Sequence, residues 1–380
     1  MKQALIALIF CAAASSVTAQ LPMAHTDVFY AIDTTYKEND LLLRITNTNF
    51  FKNDEYFSDY IEGYTLVGYK LQPTLVYYVS SDISIEAGLQ LLQYGGTKKY
   101  DKIYPILTAQ WRINNWATFI MGMLDGHLAH DLPESMWEPE RQLYDKPEMG
   151  FQIKLKHDNW KGEGWLNWQQ FIKNNDTIPE RFTAGLSYTL SPQSATDAKW
   201  SFEMPIRLIF SHIGGQISNF SQRMQSLANG SLSAILHRNI NRKWLKSISA
   251  EMQAQYFDAM VDGNIRPFSN GWALYPQLSL EASKFNANIG YWRASNFFSL
   301  YGNPTFMSLS NYDDTKYCKN RRMITAEANF YHSIHKILKF SIGAKAYHDV
   351  DASQFDYSYH IDFVLTPVWK IYGSEKKTRK

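Results

Sequence analysis

The stretch from Gly271 to Arg293 alternates apolar and polar residues twice, with a short polar break between the two runs. Trp272, Leu274, Pro276, Leu278 and Leu280 share one face of the first run, and Tyr275, Gln277, Ser279 and Glu281 share the other. In the second run Phe285, Ala287, Ile289 and Tyr291 oppose Asn286, Asn288, Gly290 and Trp292. A period of two is that of a β-strand, so the spacing predicts two long strands joined by a tight turn near Ser283 and Lys284. An aromatic residue stands near the far end of each apolar stripe. The pattern fits a hairpin in the wall of a closed barrel, with lipid on one side and water on the other.

The same alternation recurs along the chain and predicts sixteen strands. The first covers about 40–50 and the second about 63–78; the third sets Ile83, Ile85, Ala87, Leu89 and Leu91 against Ser84, Glu86, Gly88 and Gln90. Strands follow at about 103–112 and 116–126 and, after a long polar segment, at about 148–157, 161–172, 181–190 and 200–212. A tenth, rich in Gly, Ser and Asn, covers about 227–238, and an eleventh covers about 246–258. The hairpin above supplies the twelfth and thirteenth, and strands at about 321–333, 338–348 and 357–365 complete the set.

In the clearest strands the apolar face carries no Asp, Glu, Lys or Arg. A Lys or Arg facing lipid at mid-membrane costs roughly 2–4 kcal/mol, whereas a soluble sandwich tolerates charge on its outer face. Connections after even-numbered strands are mostly short, as at Ser80 to Asp82, Ile113 to Asn115, Asp158 to Trp160, and Ser283 to Lys284. Those after odd-numbered strands include long ones near 51–62, 127–147 and 297–320. Short inner turns and long outer loops are the habit of outer-membrane barrels.

Residues 1–19 combine Lys2, an apolar run from Ala4 to Ala14, and a small-residue site at Val17 to Ala19, which reads as a secretory signal peptide. Residues 20–38 form a short polar leader, 39–372 the barrel, and 373–380 a basic tail. No later run of about 18 apolar residues exists, which excludes helical spans. Aromatic residues make up 15% of the chain and charged ones 19%, below the roughly 25% of soluble domains. A lipid-facing wall with an aromatic girdle accounts for both. Lys2 leaves with the signal, so the other basic residues nearly balance the 36 acidic ones, and nothing points to nucleic acid. Cys11 leaves as well, and Cys318 remains as a lone surface thiol.

With its signal peptide, sixteen alternating strands, long outer loops and short inner turns, the chain resembles the bacterial outer-membrane β-barrel (porin-like) superfamily. The resemblance implies an all-β, closed antiparallel transmembrane barrel of about sixteen strands, set in the lipid of the bacterial outer membrane. The chain departs from the usual ending on an aromatic residue, since Tyr372 is followed by Gly373 and the basic tail. The length leaves no room for a separate plug domain.

The inward faces carry both signs of charge. Glu86, Gln90, Arg112, Gln152, Lys154, Glu163, Arg181, Glu203, Arg207, Glu251, Gln277, Glu281, Asn288, Glu327, Lys345 and Asp362 are the expected pore-lining residues. They either set solute selectivity or neutralise one another in ladders that stiffen the wall. In the segment DGHLAHDLPESMWEPERQ, His127, His130, Glu134, Glu138 and Arg141 are candidates for a constriction loop. Imidazole and carboxylate suit divalent cations, but the spacing matches no metal motif, and no metal site is expected. Trp116, Trp165 and Trp292 fall on the inward side, where ring faces suit passing sugars.

Barrel lipid hydrolases resemble one another in a histidine followed two residues later by a serine on one strand face. None of the ten histidines here has that partner; His212 precedes Gly214 and Gly215, and Ser218 lies six residues on. A bulge or loop anchor is the reading given to the two glycines. The expectation is therefore a channel for passive diffusion of small polar solutes, saccharides among them, with no catalytic residue and no cofactor. The alternative is a barrel blocked by loops that serves an envelope complex or a homo-oligomer as an accessory subunit. A membrane hydrolase comes third, and the chain is read as not an enzyme.

Overall fold

The computed structural model describes residues 31–126, 130–192, 198–221, 223–240, 242–261, 264–313 and 315–373. The signal peptide, most of the leader and nearly all of the basic tail lie outside the described residues. The chain is one antiparallel sheet closed on itself. Its strands are β1 (Leu41–Glu55), β2 (Thr65–Ser80), β3 (Ile83–Tyr94), β4 (Lys102–Arg112), β5 (Ala117–Met123), β6 (Met149–His157), β7 (Trp160–Gln170) and β8 (Glu180–Leu190). The second half is β9 (Trp200–Gly214), β10 (Gln225–Asn239), β11 (Leu245–Ala259), β12 (Asn270–Ala282), β13 (Phe285–Ser295), β14 (Asn320–His335), β15 (Leu338–Asp349), β16 (Gln354–Leu365) and β17 (Val368–Tyr372).

Closure is made by β1, which pairs with β2 on one side and with β16 and β17 on the other. The last two strands are one stave interrupted at Thr366 and Pro367. Proline has no N–H to give to a ladder, yet its carbonyl still accepts from the Ile45 N–H at 3.1 Å. Pairing resumes from Val368 opposite Arg44. The barrel therefore has sixteen staves.

Alternation decides which way each side chain points. Along β12, Leu274 and Leu278 are 42% and 58% exposed on the outer wall, while Gln277 is 5% exposed inside. The partner strand β13 behaves alike, with Ile289 outside and Trp292 buried inside. Trp165 also points inward, whereas Trp116 stands exposed at the short-turn rim against Trp160, centroids 6.4 Å apart. Its place in the 113–116 turn takes it off the strand alternation, so it does not line the lumen.

Strand β1 is longer than the pattern predicts. Lys52 and Asp54 look like loop residues in the sequence, but they continue the buried inward face that starts at Leu42, and Lys52 Nζ lies 2.8 Å from an Asp54 carboxylate oxygen. The connection after β1 is accordingly 56–64. The described residues of the longest connections at the same rim, within 124–148 and 296–319, fold into the barrel.

Candidate functional site

The two inserted loops meet inside the lumen. Trp137 and Tyr301 form a parallel backbone bridge, the Glu138 N–H donates to the Tyr301 carbonyl at 2.8 Å, and the Asn303 N–H donates to the Glu134 carbonyl at 2.9 Å. The apolar inside positions explain why they enter. Tyr275 and Trp292 would otherwise put aromatic surface into water; instead they pack edge-on against Phe306, with centroids 5.8 and 5.0 Å away. Leu132, Met136 and Trp137 cover Trp165 and Ile209 in the same way.

Consecutive left-handed residues, His130 at φ 55° and Asp131 at φ 60°, turn the first loop sharply. The turn delivers the His130 ring flat onto Trp165, 4.1 Å between centroids and 6° between planes. One ring nitrogen lies 2.6 Å from Glu148, and the other contacts Glu163. Burial by itself would push the imidazole down. The two carboxylates outweigh it and hold the pKa at about 10, so His130 is a cation that clamps the loop and not a proton acceptor.

Other anchors follow the same logic. Lys345 on β15 lies 2.9 Å from Glu134, which also accepts from the Tyr347 hydroxyl at 2.8 Å. Ser135 hydrogen-bonds Gln255, and Arg207 reaches the carbonyl of Asp131. Arg321 donates to the carbonyls of Thr305 and Met307 at 2.8 and 2.7 Å and so ties down the second loop.

The expected pore-lining residues are mostly brought together in these pairs. Glu86 binds Arg44 at 3.0 Å, Gln90 accepts from Gln72, Gln152 reaches Glu163, and Lys154 reaches Asp125. Gln277 accepts from Asn288, Glu327 faces Lys345, Glu281 meets Lys246, and Asp362 accepts from Ser341. Glu203 and Glu251 also point inward, with His237 3.9 Å from Glu203. Arg112 sits apart at the short-turn rim against Asp82, and Arg181 is exposed at the opposite rim. His127 lies outside the described residues, while His130, Glu134, Glu138 and Arg141 all belong to the inserted loop. Among the described residues no cluster of His, Cys, Asp and Glu has metal-binding geometry.

Among the described residues, two places stand out where chemistry is available. Above the inserted loops, a basin of about 470 Å³ opens at the long-loop rim, with Lys70, Arg141, Lys146, Arg181 and Arg266 in its lining. The other place is on the outside of the wall. His212 follows Phe202, Ile206 and Leu208 on the lipid-facing side of β9, two residues before the strand ends. Its cross-strand partner on β10 is Ser226, and Nδ1 of the imidazole lies 2.9 Å from the serine Oγ. Phe182, stacked on Trp168 and tilted against Phe210, supports the ring from β8 with centroids 5.2 Å apart.

Ser218 is not the partner of His212; its hydroxyl donates to the carbonyl of Gly215, whose φ of 131° ends the strand. A search along one strand misses the histidine–serine pair because it forms across two. The hairpin register that would have revealed it depends on where 215–224 turns, which alternation does not specify.

The family described as lipid A 3'-O-deacylase-type matches residues 32–373. It is a family of enzymes, and the match overturns the expectation that the chain is not an enzyme. No curated protein gives a match. A crystal structure of the outer membrane protein OprD from Pseudomonas aeruginosa aligns over 87% of this chain and 94% of its own, with a TM-score of 0.51 at 8% identity. An improved crystal structure of OprD aligns over 91% and 100%, again at 0.51, with 10% identity. The likeness is one of fold, and the fold is that of the porin-like outer-membrane barrels that the sequence resembles.

Proposed function

The chain belongs to the lipid A 3'-O-deacylase-type family, and we therefore propose that it is an outer-membrane ester hydrolase that removes an acyl chain from a lipid at its long-loop rim. The observation that carries this reading is the 2.9 Å contact between His212 and Ser226 on the lipid-facing wall. An unprotonated imidazole in that position accepts the hydroxyl proton as the serine oxygen attacks the ester carbonyl. The histidine then returns the proton to the departing alcohol, leaving an acyl-serine. Water, activated by the same imidazole, releases the fatty acid and restores the hydroxyl. The apolar strip below the pair, with Leu208 and Leu232 about half exposed, offers acyl chains a surface to lie along. A site near the strand ends stands at the depth where ester linkages meet the headgroups, with the long loops outside the cell.

Passive diffusion of small polar solutes is the reading that the porin-like fold supports. The inserted loops weigh against it, because Trp137, Phe306 and their neighbours occupy the space a hydrated pore needs.

The test is release of fatty acid from lipid A and from phospholipid vesicles by the purified chain. His212→Ala and Ser226→Ala should each lower turnover at least about a hundredfold, with unchanged heat-modifiable gel mobility as the folding control. Undiminished release by both variants would remove the pair from the reaction.

A further inference from the structure

We infer that the basin at the long-loop rim is a binding site for an acidic saccharide, a sugar carrying phosphate or carboxylate. The site is separate from the wall pair and stands independently of the hydrolase reading. Its volume of about 470 Å³ falls within the about 300–1,000 Å³ of small-molecule sites.

Charge is the first argument. The lining holds five cationic side chains, Lys70, Arg141, Lys146, Arg181 and Arg266, against the two carboxylates of Asp145 and Glu148. Both carboxylates are already engaged. Glu148 accepts from His130 and from Asn167, and Asp145 pairs with Arg141 four residues before it. With the Arg141–Asp145 pair set aside as neutral, Lys70, Lys146, Arg181 and Arg266 still outnumber Glu148, so the lining carries net positive charge, and low-dielectric walls concentrate its field.

The second argument is the polar lining. Gln72, Gln90, Asn167 and Gln169 bring carboxamides to the same space. An amide both donates and accepts, which suits hydroxyl groups that do the same. A simple ion would have no use for such a set; a sugar with one charged group would use both.

Rigidity is the third. The Arg141 guanidinium lies 4.6 Å above the Tyr301 ring and 5.3 Å from that of Trp137, and its Nε has no hydrogen-bond partner among the described residues. Arg266 lies 4.0 Å over Phe298. Stacked guanidinium groups keep their forks aimed, so less freedom is lost when an anion arrives. Tyr301 is in turn fixed by hydrogen bonds with Thr183 at 2.6 Å and Ser211 at 3.0 Å.

Isothermal titration of the full chain in detergent, with glucose 6-phosphate as probe, tests the inference. Glucose 6-phosphate should bind at least about tenfold more tightly than glucose or inorganic phosphate alone, and Arg181→Gln, at an exposed rim position, should weaken it by about tenfold, the step that 1.4 kcal/mol represents. Equal binding of glucose and glucose 6-phosphate would overturn the role of the cations, and full competition by inorganic phosphate would overturn that of the sugar. His212→Ala should bind as the unaltered chain does, so failure here is distinguishable from failure of the hydrolase reading. In nanodiscs of phosphatidylcholine with and without a phosphoglycolipid, apparent affinity that falls only in the former identifies a membrane headgroup as the natural source. Equal affinity in both identifies a free sugar.

Discussion

Glu138 sits in the inserted loop with Glu134 and Asp54 as like-charged neighbours and Lys52 and Lys345 as opposing ones. Burial and the two carboxylates push its carboxyl up, the two lysines offset only part, and the pKa comes to rest at about 7 instead of 4.5. A folded pKa above the unfolded one means that the folded state holds the proton more tightly. The stabilisation is then complete below about 4.5 and is lost as pH rises through about 7. Glu138→Gln should consequently raise the thermal transition at pH 8 and leave it unchanged at pH 4, measured by gel mobility after heating in detergent. Lower stability of the variant at pH 8 would mean that the ionised carboxylate is held favourably. At this scale the sequence was informative about sides and silent about partners. That Lys345 and Glu327 point inward follows from alternation; that Lys345 also meets Glu134, more than two hundred residues earlier, does not.

Each strand is readable to the extent that its two faces meet different solvents. Leu278 and Gln277 are neighbours on β12, the first facing lipid and the second the lumen. Leu278→Arg places a charge in lipid at a cost of roughly 2–4 kcal/mol and should block membrane assembly. Gln277→Arg should assemble at near-normal yield, and equal yields of the two in membrane fractions would reverse the faces assigned here. The same period of two locates β12 and β13 to within two residues. It fails at the end of β1, where Lys52 and Asp54 are charged because they face the inserted loop, and charge in a sequence reads as loop. The break at Pro367 was hidden for a different reason: the barrel bridges it with a carbonyl, so the final stave continues past a residue that normally ends a ladder.

For the whole molecule, closure and the number of staves follow from patterning, but the content of the lumen does not. The acidic and histidine-bearing segment around 127–141 reads as a constriction loop, but nothing in the composition of 296–319 says that it turns inward; the hint lies in the aromatic residues at inward positions, Tyr275, Trp165 and Trp292, which need cover. With both loops in place, planar-bilayer recordings of the purified chain should show no discrete steps of porin size. Replacing 298–317 by a short Gly-Ser linker should produce them, because Phe306 and its neighbours leave the lumen. Steady steps from the unaltered chain would mean that ions pass beside the loops.

The Trp137–Tyr301 bridge joins segments that spring from different sectors of the wall, one between β5 and β6 and the other between β13 and β14. A tie across the bore does more than fill it. It braces a thin cylinder against flattening, as a strut holds a hoop round, so the curvature of the staves carrying His212 and Ser226 is set partly from within. It also makes release of the loops a single cooperative event: neither can withdraw without breaking the hydrogen bonds that Glu138 and Asn303 make with the other.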